Sequence, residues 1–204
     1  MSSTRPALVT TGSTVIAAEN IVAWLIPAIT GKNPDQVSVV ERHIGQFKTA
    51  AEVKSYMSDR DGSVRVAALK VRNISYLGGV SGTVTWCAYV MTSDQWGYSR
   101  DTRAEIIVGK IARRIIEPGA VAGMKAQKAA SSVSADNIYT GELNDLGVTM
   151  WAVTWDQDFG LDDEADISGL DNLLQHYQTW PADNDNAPVW EADVRLPGPD
   201  ETGN

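Results

Sequence analysis

The chain has 204 residues, 43% of them hydrophobic and 21% charged, values that are ordinary for one soluble globular domain and leave room for an appendage. The one cysteine, Cys87, excludes both a disulfide framework within the chain and a multi-cysteine metal site. The N-terminal segment lacks the apolar core of a signal peptide, and every apolar run is too short to span a membrane. We therefore expect a cytosolic protein with no membrane partner.

Charge is distributed unevenly along the chain, whose formal net charge is −9. Residues 1–155 carry 13 acidic and 16 basic side chains, whereas residues 156–204 carry 13 acidic side chains and one basic side chain, Arg195. The end of the chain is also rich in Pro, Asn, Asp and Gly, a composition typical of a solvated and partly disordered segment. We therefore predict a flexible N-terminus over 1–12, a folded domain over 13–160 and an acidic, partly extended C-terminal segment over 161–204.

The first elements follow from periodicity and capping residues. Apolar residues at helical spacing predict a helix over 14–29, and the apolar run at 37–44 predicts a strand. Thr49 and Glu52 fit a capping box, in which each side chain satisfies a free amide of the first helical turn. A short helix is therefore expected between this box and the turn residues of 59–63.

Two long apolar runs, 64–77 and 83–92, follow and are joined by a short glycine-rich connection, so they predict an antiparallel hairpin. Ser99 is placed to cap a helix over 100–117, which Pro118 and Gly119 would end. Residues 119–147 are small and polar with little periodicity, and we interpret them as a long connection.

The last predicted core strand, 148–156, is apolar on both faces. One face carries three large residues: Trp151, Val153 and Trp155. The other carries Val148, Met150 and Ala152. A strand of this kind is covered on both sides, and we expect its own helices on one side and a neighbouring subunit on the other.

Helix, strand, helix, hairpin, helix and strand together predict an α+β fold. The domain would have a mainly antiparallel β-sheet of about four to five strands flanked by two to three helices. The acidic C-terminal segment would extend beyond it.

Motifs of catalysis are missing from the sequence: it has no P-loop, no HExxH, no GxSxG and no dinucleotide fingerprint after a strand. His43 and His176 lie far apart and are better explained as structural or exposed residues than as metal ligands. Cys87 lies in an apolar strand, where a packing thiol is more plausible than a nucleophile. The acidic run after 161 lacks the glycine and final glutamate of a calcium loop. We expect no enzyme activity, no catalytic residue, no cofactor and no metal.

Two charged regions are candidate interaction surfaces. The predicted helix over 100–117 carries five cations beside an isoleucine stripe: Arg100, Arg103, Lys110, Arg113 and Arg114. The acidic run that follows the last core strand contains Asp162, Asp163 and Glu164. These residues, with Trp151 and Trp155, form our candidate interface. The alternative is that the helix face and the acidic run are simply solvated.

Several segments, in this order, resemble the tail terminator proteins of Mu-like phages and their prophage relatives. The loop Asn137-Ile138-Tyr139-Thr140 precedes a Gly-Val-x-x-Trp-x-Val-Thr-Trp strand at 147–155, as in that family. The strand VRVAALKVRNISYLG, the helix RDTRAEIIVGKIARRI and the segment HYQTWPADNDNAPVWEADVRLPG are also similar. The last of these holds His176 and Pro181-Ala182-Asp183, and the resemblance covers about residues 13–197.

The resemblance implies a virion structural protein of the head-proximal tail end, assembled in the host cytoplasm. Such a protein forms a homohexameric ring on the last ring of tail tube protein, stops tube polymerisation and provides the surface for head docking. Its partners would be its own copies, the tail tube protein and the head-tail connector, with DNA passing through the lumen without specific binding. In a ring, the basic helix and the acidic segment would be available as two different contact patches.

Two alternatives remain open, and a third is disfavoured by the sequence. A head-tail neck or connector protein would have similar size and ring architecture, and would bind the portal-side adaptor rather than the tube end. A small enzyme would have a closed pocket with paired titrating residues. A nucleic-acid-binding module would show basic and aromatic residues interleaved on one surface, a pattern absent from this acidic chain.

Overall fold

A computed structural model describes residues 7–57, 61–76 and 78–162, together with the backbone of 175–181 and 188–195. The chain forms two compact units, Met1–Glu164 and Ala165–Asn204.

The first unit is an α+β domain, as predicted. Its elements in chain order are α1 (Thr14–Ile29), β1 (Val39–His43), α2 (Ala50–Ser55), β2 (Ser63–Tyr76), β3 (Val80–Thr92), α3 (Arg100–Ile116), α4 (Ala120–Gly123), β4 (Ser131–Asn137), α5 (Gly141–Asp145) and β5 (Thr149–Gly160). The strands form one sheet in the order β1-β2-β3-β5-β4. β1 is parallel to β2, and the other three pairings are antiparallel, so the sheet is mixed.

Side-chain caps fix where the main helices begin. Ser13 accepts a hydrogen bond from the backbone N–H of Val15, and Ser99 starts α3 in the same manner. Thr49 accepts from the Glu52 N–H at α2, which confirms half of the predicted capping box. The Glu52 carboxylate turns back to the N–H of Lys48, 3.0 Å away, one residue earlier than the reciprocal pattern requires.

The larger core lies between one face of the sheet and helices α1, α3 and α4. Its centre is formed by Trp86 of β3 and Trp155 of β5, whose rings stack at 6.5 Å between centroids. Phe159 contacts Trp86 edge to face at 5.5 Å. Alternating residues of β3 and β5 point into this core, as the strand patterns predicted.

A smaller core covers part of the opposite face and corrects one expectation. Met150 and Ala152 of β5 pack there with Cys87, under Val53 of α2 and Leu143 of α5. We expected a neighbouring subunit on this side, but two short helices of the same chain cover these strands. The short helices were not anticipated as a cover because six or five residues are too few to show an apolar stripe.

The other half of that face is polar. Arg72, Thr85 and Asp156 form one hydrogen-bonded group, and Thr83, Asp158 and Lys128 form the next. β5 alternates between the buried core on one side and this polar ladder on the other, which explains why it continues past the predicted end to Gly160.

The interpretation of 119–147 as a long connection was wrong. The segment holds α4, the edge strand β4 and α5. β4 (SSVSADN) is exposed at all but one position and, among the strands that the structure describes, pairs with β5 alone, so its sequence shows too little apolar alternation to reveal it. Most of its residues are small and polar because Val133 is the residue of β4 that packs against the larger core.

The second unit contains two strands, β6 (Gln175–Pro181) and β7 (Pro188–Arg195), paired antiparallel. Composition predicted an extended segment here, whereas the pairing was not anticipated. His176 lies in β6 opposite Val194. The predicted domain boundaries at residues 12 and 160 remain predictions.

Candidate interaction surfaces

Arg103 is the centre of a buried hydrogen-bond cluster within the chain. Its side chain is 1% exposed. The guanidinium donates to the backbone carbonyls of Pro34 at 2.8 Å, Ser93 at 2.6 Å and Asp61 at 3.0 Å. Burial lowers the pKa of Arg103, and the charges of Asp61 and Asp94 oppose that effect. The structure thus corrects its place in the candidate interface, because its side chain has no surface to offer a partner.

Two other cations of α3 are also engaged inside the domain. Lys110 pairs with Asp35, and the hydrogen bond from Lys110 holds the pKa of that carboxyl below its ordinary value. The Arg114 guanidinium stacks on the ring of Trp24, 3.4 Å from its centroid, and pairs with Glu117. Both cations join α3 to neighbouring segments and are only partly exposed.

The remaining two cations of α3, Arg100 and Arg113, differ in whether their side chains have a partner inside the domain. Arg100 donates from its guanidinium to the side-chain oxygen of Asn144 at 2.5 Å, which ties the start of α3 to α5. Arg113 is exposed, and no ion pair of the described residues includes it. The concentrated positive face that the sequence suggested is therefore reduced mainly to Arg113.

The two tryptophans of the candidate interface are core residues to different degrees. Trp155 is 1% exposed, and its indole N–H donates to Gln157 at 3.2 Å. Gln157 in turn donates to the carbonyl of Lys128 at 2.9 Å. Trp151 is half-buried at the edge of the larger core. Trp155 belongs to the interior, and of the two only Trp151 has surface left.

Asp162 lies at the end of the β2–β3 hairpin. Its carboxylate accepts a hydrogen bond from the backbone N–H of Val80 and lies against Gly79. Asp163 and Glu164 lie outside the described residues. Of the acidic run, Asp162 thus has a defined role within its own chain.

His43 and Cys87 are both buried in the smaller core. His43 stacks on Phe47 at 4.3 Å between ring centroids, and burial lowers the pKa of its imidazole. Burial raises the pKa of the Cys87 thiol to about 12, so almost none of it is thiolate near neutral pH. A thiol in this state is a poor nucleophile and a poor metal ligand.

The polar ladder on the sheet holds two carboxylates with lowered pKa values. For Asp156 the main cause is the hydrogen bond from Thr85 at 2.6 Å, supported by Arg72. For Asp158 it is the hydrogen bond from Lys128 at 2.7 Å, supported by Thr83. These carboxylates stay ionised, as expected of structural ion pairs on a sheet surface.

A tight turn after β3 forms a surface that the sequence reading missed. Gln95 and Tyr98 exchange two backbone hydrogen bonds, of 3.1 and 2.9 Å, around Trp96 and Gly97. Both central residues have positive φ, 56° and 79°, the requirement of a type I′ turn. Trp96 is 71% exposed and Tyr98 55%. The Trp-Gly pair was the available signal for a turn, but nothing in the sequence showed that the ring points outwards.

An open concavity of about 900 Å³ adjoins this turn. It is lined by Asp61, Asp94, Gln95, Trp96, Gly97, Tyr98 and Ser99. Carboxylates and aromatic rings therefore face the same space.

The opposite end of β3 carries a second exposed apolar patch. Ile74 is 63% exposed and Tyr76 78%, and both lie at the tip of the β2–β3 hairpin. β3 has 13 residues, which separates this tip from the Trp96 turn by about 40 Å. The domain therefore presents two unlike apolar patches at its two ends.

Among the described residues, no group of three or more His, Cys, Asp and Glu side chains is arranged to hold a metal ion. Nor does that part of the chain contain a helix long and apolar enough to cross a membrane. Comparison of the sequence with protein-family models and with curated proteins finds no match.

Proposed function

We propose that this protein is a phage tail terminator, a virion structural protein that caps the tail tube as a ring and provides the surface for head docking. The observation that carries the proposal is the pair of unlike exposed apolar patches at the two ends of β3. A terminator must contact the tube on one side and the connector on the other, and these partners differ. The Ile74–Tyr76 hairpin tip and the Trp96 turn supply two such ends, one at each end of β3.

The order of elements supports the same proposal. Of the segments that carry the family resemblance, the β2 strand, the α3 helix and the β5 strand form the centre of the domain. The others are the loop at 137–140 and the segment from His176 onwards. The resemblance implies six copies, each making heterologous contacts that close by rotation. Because Arg103 and Trp155 are buried in their own subunit, subunit contacts would have to use exposed residues such as Arg113.

The proposal is tested by imaging the purified protein alone and mixed with tail tubes of the same virion. We expect rings on tube ends and tubes that no longer elongate when tube subunits are added. The double substitution Ile74→Ser with Tyr76→Ser removes one exposed patch without touching the core, and Ile116→Ser, another exposed isoleucine at 63%, is the matched control.

Three outcomes separate the candidates. Capping by wild type and the Ile116 control, but not by the hairpin variant, supports the terminator with the hairpin facing the tube. Binding to the connector with bare tube ends would favour a neck protein instead. A strict monomer that binds neither would overturn the ring.

A further inference from the structure

The Trp96 turn holds a large aromatic residue in a conformation that favours glycine or asparagine. Trp96 has a φ of 56°, and the ring is mostly in solvent. An Asn-Gly pair is the preferred sequence of a type I′ turn, so tryptophan is not needed to form it. Its ring contributes no core contact, which leaves recognition of something outside the chain as the reason to place it here.

The charges around the turn narrow what that ligand is. Asp61 and Asp94 line the same concavity as Trp96 and Tyr98. Each carboxylate accepts a hydrogen bond from a neutral group: Asp61 from the amide of Gln95, and Asp94 from the backbone N–H of Arg100 at 2.8 Å. Neither takes part in an ion pair of the described residues.

Two arginines lie nearby and offset part of this negative charge. Arg103 is buried beneath the turn, and its guanidinium is committed to backbone carbonyls, including that of Asp61. The Arg100 guanidinium is directed to Asn144. The surface that faces solvent is therefore formed by carboxylates and aromatic rings.

The same chain twice uses arginine against an aromatic ring. Arg114 stacks on Trp24. Arg65 lies over Tyr56, with the guanidinium carbon Cζ 5.3 Å from the ring centroid, and also forms an ion pair with Glu41. A planar guanidinium combines stacking on an aromatic face with hydrogen bonds to carboxylate, which a lysine ammonium does less well. The concavity beside Trp96 offers both kinds of contact, and no arginine is among the described residues that line it.

We propose that the Trp96–Tyr98 turn, with Asp61 and Asp94, is a docking surface for an arginine-bearing segment of a partner protein. A guanidinium would stack on an exposed ring and pair with the carboxylates. Trp96 is 71% exposed and Tyr98 55%, which amounts to roughly 190–315 Å² at about 150–250 Å² per aromatic side chain. A standard interface buries about 800 Å² per partner, so the surface acts as an anchor within a larger contact. The proposal rests on the terminator function in that it states the chemistry of one of the two ends named there, and its test requires neither a ring nor a tail tube, so the two can fail separately.

The test is a titration of the isotope-labelled protein with the peptide acetyl-Gly-Arg-Gly-Arg-Gly-amide, followed by the amide signal of Gly97 and the indole signal of Trp96. A peptide with citrulline in place of arginine has nearly the same shape without the charge. We expect saturable shifts with the arginine peptide at millimolar concentration, weakened by salt, and little response to the citrulline peptide.

The variants keep the turn intact. Asp61→Asn and Asp94→Asn retain an oxygen that accepts the existing hydrogen bonds, and together they should weaken binding by roughly fivefold. Trp96→Asn gives the favoured turn pair and should abolish the response at Gly97 without lowering stability. Asp145→Asn, at an exposed carboxylate of α5, should change nothing.

Equal shifts with both peptides, or none, would overturn the proposal. So would a binding constant that is indifferent to the two aspartate substitutions. Shifts at Trp96 that depend on protein concentration in the absence of peptide would identify a second copy of this chain as the occupant instead.

Discussion

Trp24 and Arg114 bind each other through both their side chains and their backbones. The Trp24 indole N–H donates to the Arg114 carbonyl at 2.9 Å, and the Arg114 Nε donates to the Trp24 carbonyl at 3.1 Å. The guanidinium lies over the ring, and Gly123 of α4 lies against the same ring, where a Cβ would collide with it. One pair thus joins α1, α3 and α4.

We predict that Arg114→Ala lowers the free energy of unfolding by about 2 kcal/mol, because a partly buried stack and a hydrogen bond are lost together. Arg114→Lys should recover only part of this, since an ammonium cannot both stack flat and reach the Trp24 carbonyl. Urea unfolding measures the differences. Arg113→Ala is the matched control on the exposed side of α3 and should stay within about 0.5 kcal/mol. Equal effects at the two positions would contradict the structural role of Arg114.

Among the described cations, substitution of Arg103 should lower the free energy of unfolding the most. Arg103→Leu leaves several buried carbonyls without a donor, and we expect a loss of about 3–5 kcal/mol, enough to unfold much of the protein. Arg103→Lys should also destabilise strongly, because one ammonium cannot reach the carbonyls of Pro34, Ser93 and Asp61 at once. Thermal unfolding followed by circular dichroism measures both. A variant as stable as wild type would mean that the cluster is not formed.

Arg103 and Arg113 illustrate what the sequence could reveal. Local spacing correctly predicted α3, its Ser99 cap and most of its isoleucine stripe, although Ile106 of that stripe is exposed. Which arginine is buried depends on the loop at 33–36 and the residues after β3, which come from distant parts of the chain. Long-range pairing also explains why β4 was missed, since β4 is held by β5 and has little apolar pattern of its own. The Trp96 turn is local, and there the exposure of the ring was the feature that the sequence did not reveal. Strand alternation is local as well, so the sequence correctly assigned residues to the two faces of β5, whereas the cover of the Met150 face by α2 and α5 depends on distant segments and was not predicted.

The tryptophans of β5 should differ in their contribution to stability. Trp155 is fully buried against Trp86, so Trp155→Ala should cost about 3–5 kcal/mol, whereas half-buried Trp151 should cost distinctly less on substitution by alanine. Trp155→Phe keeps an aromatic ring but removes the indole N–H that donates to the Gln157 side-chain oxygen. The stability lost in this variant therefore measures the hydrogen bond apart from most of the ring packing. Denaturant midpoints of the three variants give the order, and a greater loss at Trp151 than at Trp155 would contradict the packing described.

The free energy of unfolding should fall at alkaline pH because the buried side chains of Cys87 and Tyr89 resist ionisation in the folded state. Burial raises the pKa of Cys87 from 9.0 to about 12 and also raises that of Tyr89. Below pH 9 the thiol is protonated in both the folded and unfolded states, so the pKa shift has no effect there. Above pH 9 the unfolded state releases its proton first, and the free energy of unfolding decreases until the folded thiol ionises near pH 12. In Cys87→Ala the decline between these values should be shallower, although the variant starts from a lower stability. Identical slopes in wild type and variant would rule out Cys87 as a cause.

The last prediction concerns whether the acidic C-terminal segment and Arg113 contact each other between subunits of the ring. The unit Met1–Glu164 is compact by itself, so deletion of 165–204 should leave it folded while removing most of the acidic residues of the C-terminal part. If the acidic residues after Glu164 and exposed Arg113 are partners between subunits, both the deletion and Arg113→Glu should weaken the ring, and Arg113→Glu should weaken the truncated protein no further. Asp162, Asp163 and Glu164 remain in the truncated protein, so a ring that is weakened by Arg113→Glu but not by the deletion would point to these three carboxylates instead. Salt should mimic either change, because exposed charges are screened over about 8 Å near physiological ionic strength. The measurement is ring stability by sedimentation across a salt series for wild type, each variant and the two combined. Arg114→Glu is unsuitable for this purpose, since it would break the contact with Trp24 inside the subunit. If the ring is indifferent to salt and the two changes act independently, the acidic segment is a solvated extension and the subunits are joined by apolar contacts instead.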